Sequence, residues 1–174
     1  MQHTLVALVE DKPGVLNRIS SLFRRRTFNI DTLTVGQTEQ PGISRMTIVV
    51  NGEDGQIERL TSYLYKLVNV IHVHDLTRTA NVSRDLAMIK VKASPENRTH
   101  IMQTVDVFRA RIVDVTNESF IVEVTGDIDK IDGLVDVLRP FGIIEMVRTG
   151  LVSMARGSVP TMKVNGNGNG RPAD

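Results

Sequence analysis

Cysteine is absent from this chain, and so is tryptophan. Without cysteine there can be no disulfide, no thiolate metal site and no cysteine nucleophile, which suits a cytoplasmic protein. Aromatic residues make up 4% of the 174 residues, too few for the base-stacking surfaces with which small α+β sheets hold RNA. A formal net charge of +1 offers no broad basic field to nucleic acid or to an anionic membrane. No apolar run approaches a membrane span. The first residues carry neither a basic lead nor a cleavage site, so no signal peptide is expected. Glycine-rich phosphate loops of the dinucleotide or Walker type are missing too, and no spacing ties a nucleophile to a base. His72 and His74 lie two apart on a predicted strand and share a face, but two ligands are too few for a closed metal site. The carboxylates are scattered. Together these absences point away from catalysis and towards binding or regulation.

What is present is the balance of a globular protein, 41% apolar and 24% charged. The stretch with most to say is Glu10-Asp11-Lys12-Pro13-Gly14-Val15-Leu16, which joins the apolar run Leu5–Val9 to a helical pattern with Val15, Leu16, Ile19, Leu22 and Phe23 on one face. The first turn of a helix has unpaired N–H groups and a partial positive charge, so it suits a small carboxylate. Gly14 leaves the backbone bare to an approaching ligand, and Asp11 beside it could accept an ammonium. Such a site is shaped for a free amino acid. The alternative is local: Asp11 caps the helix and Pro13-Gly14 turn the chain.

In order, the chain reads as a strand over 3–9, apolar on both faces, which is expected to be covered on both. A helix to about Arg26 follows, with Arg24, Arg25 and Arg26 against the negative end of its dipole. Next come an extended segment through Ile30, Leu33 and Val35, a turn at Glu39-Gln40-Pro41-Gly42, and a strand over 43–50. A second helix carries Ile57, Leu60, Tyr63, Leu64 and Leu67, and a strand covers 68–74. After a joint at Thr79-Ala80-Asn81 the order repeats. A strand runs from Leu86 to Ala93, a helix opens at Pro95, and strands at 111–115 and 119–124 meet at Thr116-Asn117-Glu118. Asp127 caps a fourth helix, and a last strand runs from 143 to 152. Two β-α-β-β-α-β units of about seventy residues each describe an α+β fold of two tandem ferredoxin-like domains. The domains are expected at 1–78 and 85–156, with a linker at 79–84 and a Gly- and Asn-rich disordered tail over 157–174.

Several stretches resemble the small, regulatory subunits of acetolactate synthase: Glu10 to Leu16, Arg25 to Gly36, Ser44 to Val50, Tyr65 to Val70, Phe108 to Thr116 and Arg148 to Gly157. The resemblance runs in order from about Gln2 to Gly157. It implies that the first unit is an ACT domain, a module that binds amino acids at domain interfaces. It also implies a homodimer joined to a large catalytic subunit, which would hold the cofactors thiamine diphosphate, Mg²⁺ and FAD and condense two pyruvates. This chain itself would carry no cofactor and no catalytic site. It would raise the activity of the large subunit and confer feedback inhibition by a branched-chain amino acid, usually valine. A free-standing amino-acid sensor controlling a different protein is the alternative.

Carried over by position, the effector site implied by the resemblance uses Asp11, Gly14, Val15, Leu16, Asn29 and Ile30. Thr34 and Gly36 lie on the next strand, near enough to affect coupling. Amides near Gly14 to Leu16 would hold the carboxylate, with Asp11 and Asn29 serving the ammonium or the carboxylate across the dimer. Val15, Leu16 or Ile30 would line the side-chain pocket. Two positions depart from the family pattern. Thr27 stands where glycine usually ends the helix, and a β-branched residue suits a positive φ poorly. Asp11 stands where some members have asparagine, which bears on effector preference.

Overall fold

The computed structural model describes residues 1–158; the tail expected over 157–174 lies outside the described residues from 159 onward. The elements are β1 (Gln2–Glu10), α1 (Val15–Arg25), β2 (Ile30–Gln37), β3 (Ile43–Asn51), α2 (Asp54–Leu64) and β4 (Val70–Asp75). They continue with β5 (Asn81–Lys92), α3 (Arg98–Val107), β6 (Arg111–Val115), β7 (Ser119–Gly126), α4 (Ile128–Leu138), a 3-10 turn at Arg139–Phe141, β8 (Ile143–Arg148) and β9 (Val152–Ala155). The chain forms two compact units, one of residues 1–82 with the segment from Leu151, the other Ser83–Gly150. No helix among the described residues is long and apolar enough to cross a membrane.

Each unit is built on an antiparallel sheet with the same strand order, β2-β3-β1-β4 in the first and β6-β7-β5-β8 in the second. That is the ferredoxin-like βαββαβ arrangement, twice. In the first unit Val15, Ile19, Leu22 and Phe23 of α1 and Ile57, Leu60 and Leu64 of α2 pack on Leu5, Ala7, Val9, Met46, Ile48 and Val50. In the second, Ile101 and Val105 of α3 and Ile131, Leu134 and Leu138 of α4 pack on Ala87, Ile89, Val91, Val122 and Val124. Helical and strand periods therefore meet on one face in each unit. The expectation for β1 is met along its whole middle: Leu5, Val6, Ala7, Leu8 and Val9 are all buried.

Boundaries differ from the sequence reading in four places. β5 starts at Asn81 rather than Leu86, within the stretch 79–84 expected as a linker. Pro95 does not open α3: Asn97 and Arg98 both donate backbone N–H groups to the Ser94 carbonyl, and the helix starts at Arg98. The last strand breaks at Thr149-Gly150-Leu151, where Gly150 has φ +86°, and resumes as β9. That segment belongs to the first unit, where the Arg45 guanidinium donates to the Ser153 carbonyl and the Arg156 N–H to Ala80. Finally, β4 begins at Val70 rather than 68, leaving Val68 almost wholly exposed.

Candidate functional site

At the end of β1 the chain is fixed on both sides. The Glu10 N–H donates to Asn69 O and the Asp11 N–H to Gly42 O, at 2.9 and 2.8 Å. A polar relay holds the same corner: Arg18 donates to Asn69 Oδ1 at 2.7 Å, Asn69 Nδ2 donates to Glu10 Oε2 at 2.7 Å, and Lys12 Nζ lies 2.9 Å from that oxygen. The hydrogen bond from Lys12, then that from Asn69, holds the Glu10 carboxyl below its ordinary pKa. The anchored corner turns into α1 at Gly14, the N-cap, in the left-handed region with φ +84°. No side chain caps the helix, so the capping role considered for Asp11 is not what it does. Asp11 instead accepts from Gln37 Nε2 at 3.2 Å. A Cβ added to Gly14 would meet nothing within 4 Å, so space over the uncapped amides is open.

The expected site residues divide into two groups. Asp11 and Gly14 are exposed at this corner beside Leu16, which is 47% exposed, whereas the Val15 side chain is 5% exposed and belongs to the core. Val15 can therefore offer its backbone there but not a pocket wall. Asn29 and Ile30 lie elsewhere. Glu10 pairs with Ile43 on β3, while Ile30 pairs with Val50 at the other end of that strand. At about 3.4 Å per residue, the two groups stand roughly 24 Å apart along the sheet. Exposed Asn29 donates to Asp31 Oδ1 at 3.0 Å, and Ile30 is half-buried against the core. Thr34 and Gly36 lie on β2, an edge strand, with Gly36 opposite Arg45 and Thr34 opposite Thr47.

Gln37 is the residue that sequence reasoning missed. Its signal is the β2–β3 register: Gln37 pairs with Ser44, which pairs in turn with Val9, so β2 ends beside the Asp11 corner. The corner offers helix amides to a carboxylate and a carboxylate to an ammonium, but no nucleophile–base pair. Among the described residues no three His, Cys, Asp or Glu gather to hold a metal ion. His72 is half-buried, with Nδ1 3.4 Å from the Tyr65 hydroxyl; burial pushes its pKa down.

Thr27 does occupy the strained conformation. It has φ +57° and closes α1 in a Schellman motif: Phe28 N–H donates to Phe23 O at 3.0 Å and Thr27 N–H to Arg24 O at 3.1 Å. The Phe23 and Phe28 rings meet edge to face, 6.5 Å between centroids. The turn into Asn29 thus keeps the shape glycine would give it, at a cost of about 1–2 kcal/mol in backbone strain.

Comparison with known proteins identifies the corner's setting. Residues 5–72 match the family described as AHAS small subunit-like ACT domain, and residues 84–157 match the family described as small subunit of acetolactate synthase. The acetolactate synthase small subunit of Mycolicibacterium smegmatis is 52% identical over 89% of this chain and 91% of its own length. That of Mycobacterium leprae is 51% identical over 89% and 92%. The crystal structure of the acetolactate synthase small subunit from Thermotoga maritima superposes with a TM-score of 0.85 at 40% identity, covering 91% of this chain and 99% of that one. An ACT domain followed by the family's own C-terminal domain, matched across both units, means that this chain belongs to the acetolactate synthase small subunits.

Proposed function

We propose that this chain is the regulatory subunit of acetolactate synthase. It associates with the large catalytic subunit, raises its activity and transmits feedback inhibition by a branched-chain amino acid, with valine the first candidate. Thiamine diphosphate, Mg²⁺ and FAD belong to the catalytic partner in this reading. The effector sits over Gly14: amides of the first turn of α1 receive its carboxylate, and Asp11 receives its ammonium. The observation that carries the reading is the uncapped, open start of α1 beside an anchored carboxylate.

A second copy supplies Asn29 and Ile30. An antiparallel two-fold pairing across the β2 edge sets residue 30 of one copy beside residue 37 of the other, and Gln37 already touches Asp11. Leu16 and Val35, both nearly half exposed, supply apolar surface for such a contact. Occupancy of the shared site then favours one arrangement of the dimer over another, and coupling of about 1–3 kcal/mol suffices for feedback. The test is calorimetric titration of the purified chain with valine, leucine and isoleucine, followed by activity assays with the large subunit. Saturable binding lost in Gly14→Asp, with activation of the large subunit retained, is the expected result. A Gly14→Asp protein that remains fully valine-sensitive would overturn the site.

A further inference from the structure

No side chain caps α1, so the direction of its first amides is set by whatever holds the chain on either side of the Gly14 turn. One residue holds both sides. Asn69, in the connection between α2 and β4, is 9% exposed. Its backbone carbonyl accepts from the Glu10 N–H at 2.9 Å, and its Nδ2 donates to Glu10 Oε2 at 2.7 Å, which fixes the end of β1. Its Oδ1 accepts from the Arg18 guanidinium at 2.7 Å. Arg18 lies on α1, where its own N–H closes the first helical hydrogen bond, to Gly14 O at 3.0 Å. A slip in the β1–β4 register makes this possible. Leu8 pairs with His72 but Val9 with Val70, so the extra residue Ile71 brings Asn69 opposite Glu10. In an unbroken register Glu10 would face Val70, which has no polar side chain.

A buried amide group is unfavourable unless both its ends are paired. Here neither end can be exchanged. A guanidinium only donates, and an ionised carboxylate only accepts; Lys12 and then Asn69 hold the Glu10 carboxyl below its ordinary pKa. Aspartate at 69 would set two acceptors face to face on the Glu10 side, and leucine would leave both contacts unmade. On the reading of the Gly14 corner as the effector site, on which this role rests, we propose that Asn69 is its positioning residue. It fixes β1 through Glu10 and α1 through Arg18, and so aims the amides after Gly14 at the effector carboxylate without touching the effector. Loosening either contact lets the helix end turn away from the carboxylate while the core stripe of α1, Val15, Ile19, Leu22 and Phe23, stays packed.

The test is calorimetric titration of the full chain with valine, leucine and isoleucine at mildly alkaline pH, where a new carboxyl does not regain a donor by protonation. The melting temperature of each variant without effector is measured alongside. Asn69→Asp should weaken binding about tenfold or more. Asn69→Asp combined with Glu10→Gln exchanges donor and acceptor across the same contact, and should return binding to within about threefold of the parent. Arg18→Met removes only the helix-side anchor, on an exposed residue, and should weaken binding about fivefold or more with the melting temperature unchanged. A merely structural role would not give that split. Parent affinity in Asn69→Asp or in Arg18→Met, no recovery in the double variant, or a binding loss in Arg18→Met matched by a fall in melting temperature overturns the proposal. Gly14→Asp tells the two levels apart. Binding lost there but intact in Asn69→Asp overturns the positioning role alone, whereas binding that Gly14→Asp leaves intact, or a parent that binds none of the three amino acids, overturns the site and the role together.

Discussion

The two units have one strand order and one pattern of helices, yet their central strands and first strand–helix junctions differ. β1 is buried from Leu5 to Val9 on both faces, whereas β5 alternates, with Ala87, Ile89 and Val91 at 0% exposure and Met88 at 41% between them. The sequences state this difference openly: Leu-Val-Ala-Leu-Val against Ala-Met-Ile-Lys-Val-Lys. At the junctions, β1 leads through Gly14 into an uncapped helix, while β5 leads through a Ser94–Asn97 turn without glycine. Neither junction helix has a side-chain cap, and only α1 begins at a glycine. The same scaffold thus carries two different junctions, and the first is distinguished by a single residue in the left-handed region.

The comparison breaks hardest at the central strands. Val6→Lys should cost about 4 kcal/mol or more, because a charge would be buried on a face with no partner for it, while Met88→Lys should stay within about 1 kcal/mol. Urea denaturation of the two variants beside the parent measures both. Equal costs would mean that the second face of β1 is no more demanding than that of β5.

At the junctions the effect is on binding. If the proposed site holds valine, Gly14→Asp should weaken its binding at least about a hundredfold, near 2.7 kcal/mol, by setting a carboxylate where the effector's would sit. Gly14→Ala carries the same left-handed strain without the charge and should retain part of the binding, which separates electrostatics from backbone geometry. Pro95→Asp at the matching turn of the second unit should leave valine binding unchanged in the same calorimetric series.

The helix ends, by contrast, make the units alike. Arg109 has φ +51° and closes α3 as Thr27 closes α1: Ala110 N–H donates to Val105 O and Arg109 N–H to Asp106 O. Thr27→Gly and Arg109→Gly should each stabilise the protein by about 1 kcal/mol, raising the melting temperature by roughly 2–4 °C. Differential scanning calorimetry decides it. A gain at 27 but none at 109 would show that the second cap is relaxed by its surroundings despite the same geometry.

How far the sequence carried the reading depends on the range of the interactions involved. Element order followed from local periodicity, and Asp127 as a cap from local chemistry; its side chain does accept from Lys130 N at 2.9 Å. Pro95 misled because proline suits both a first helical turn and the turn before it, and only the hydrogen bonds to Ser94 decide between them. Asp11 and Gly14 were legible as neighbours in the chain. That Asn29 stands at the far end of the sheet, and Gln37 at the near one, follows from strand order and register, which are long-range facts. Thr27 was legible as a conflict but not in its outcome: the Schellman hydrogen bonds and the Phe23–Phe28 contact hold it in the left-handed region.

The smallest difference between the units is in their response to acid. β4 carries His72, half-buried, whose pKa is lowered chiefly by burial and further by the neighbouring His74; the matching strand β8, Ile143–Arg148, carries no histidine. A histidine whose folded pKa lies below its unfolded value of about 6.5 binds fewer protons folded than unfolded between the two. Stability should therefore rise with pH through the window just below about 6.5 and level off above it, with the penalty complete only below the folded pKa. His72→Gln should flatten that slope, and proton NMR should show the His72 ring titrating below the ordinary histidine value. Because the ring remains partly in solvent, the change in urea midpoint will be slight. An unchanged slope in His72→Gln would move the acid sensitivity of the first unit to some group other than His72.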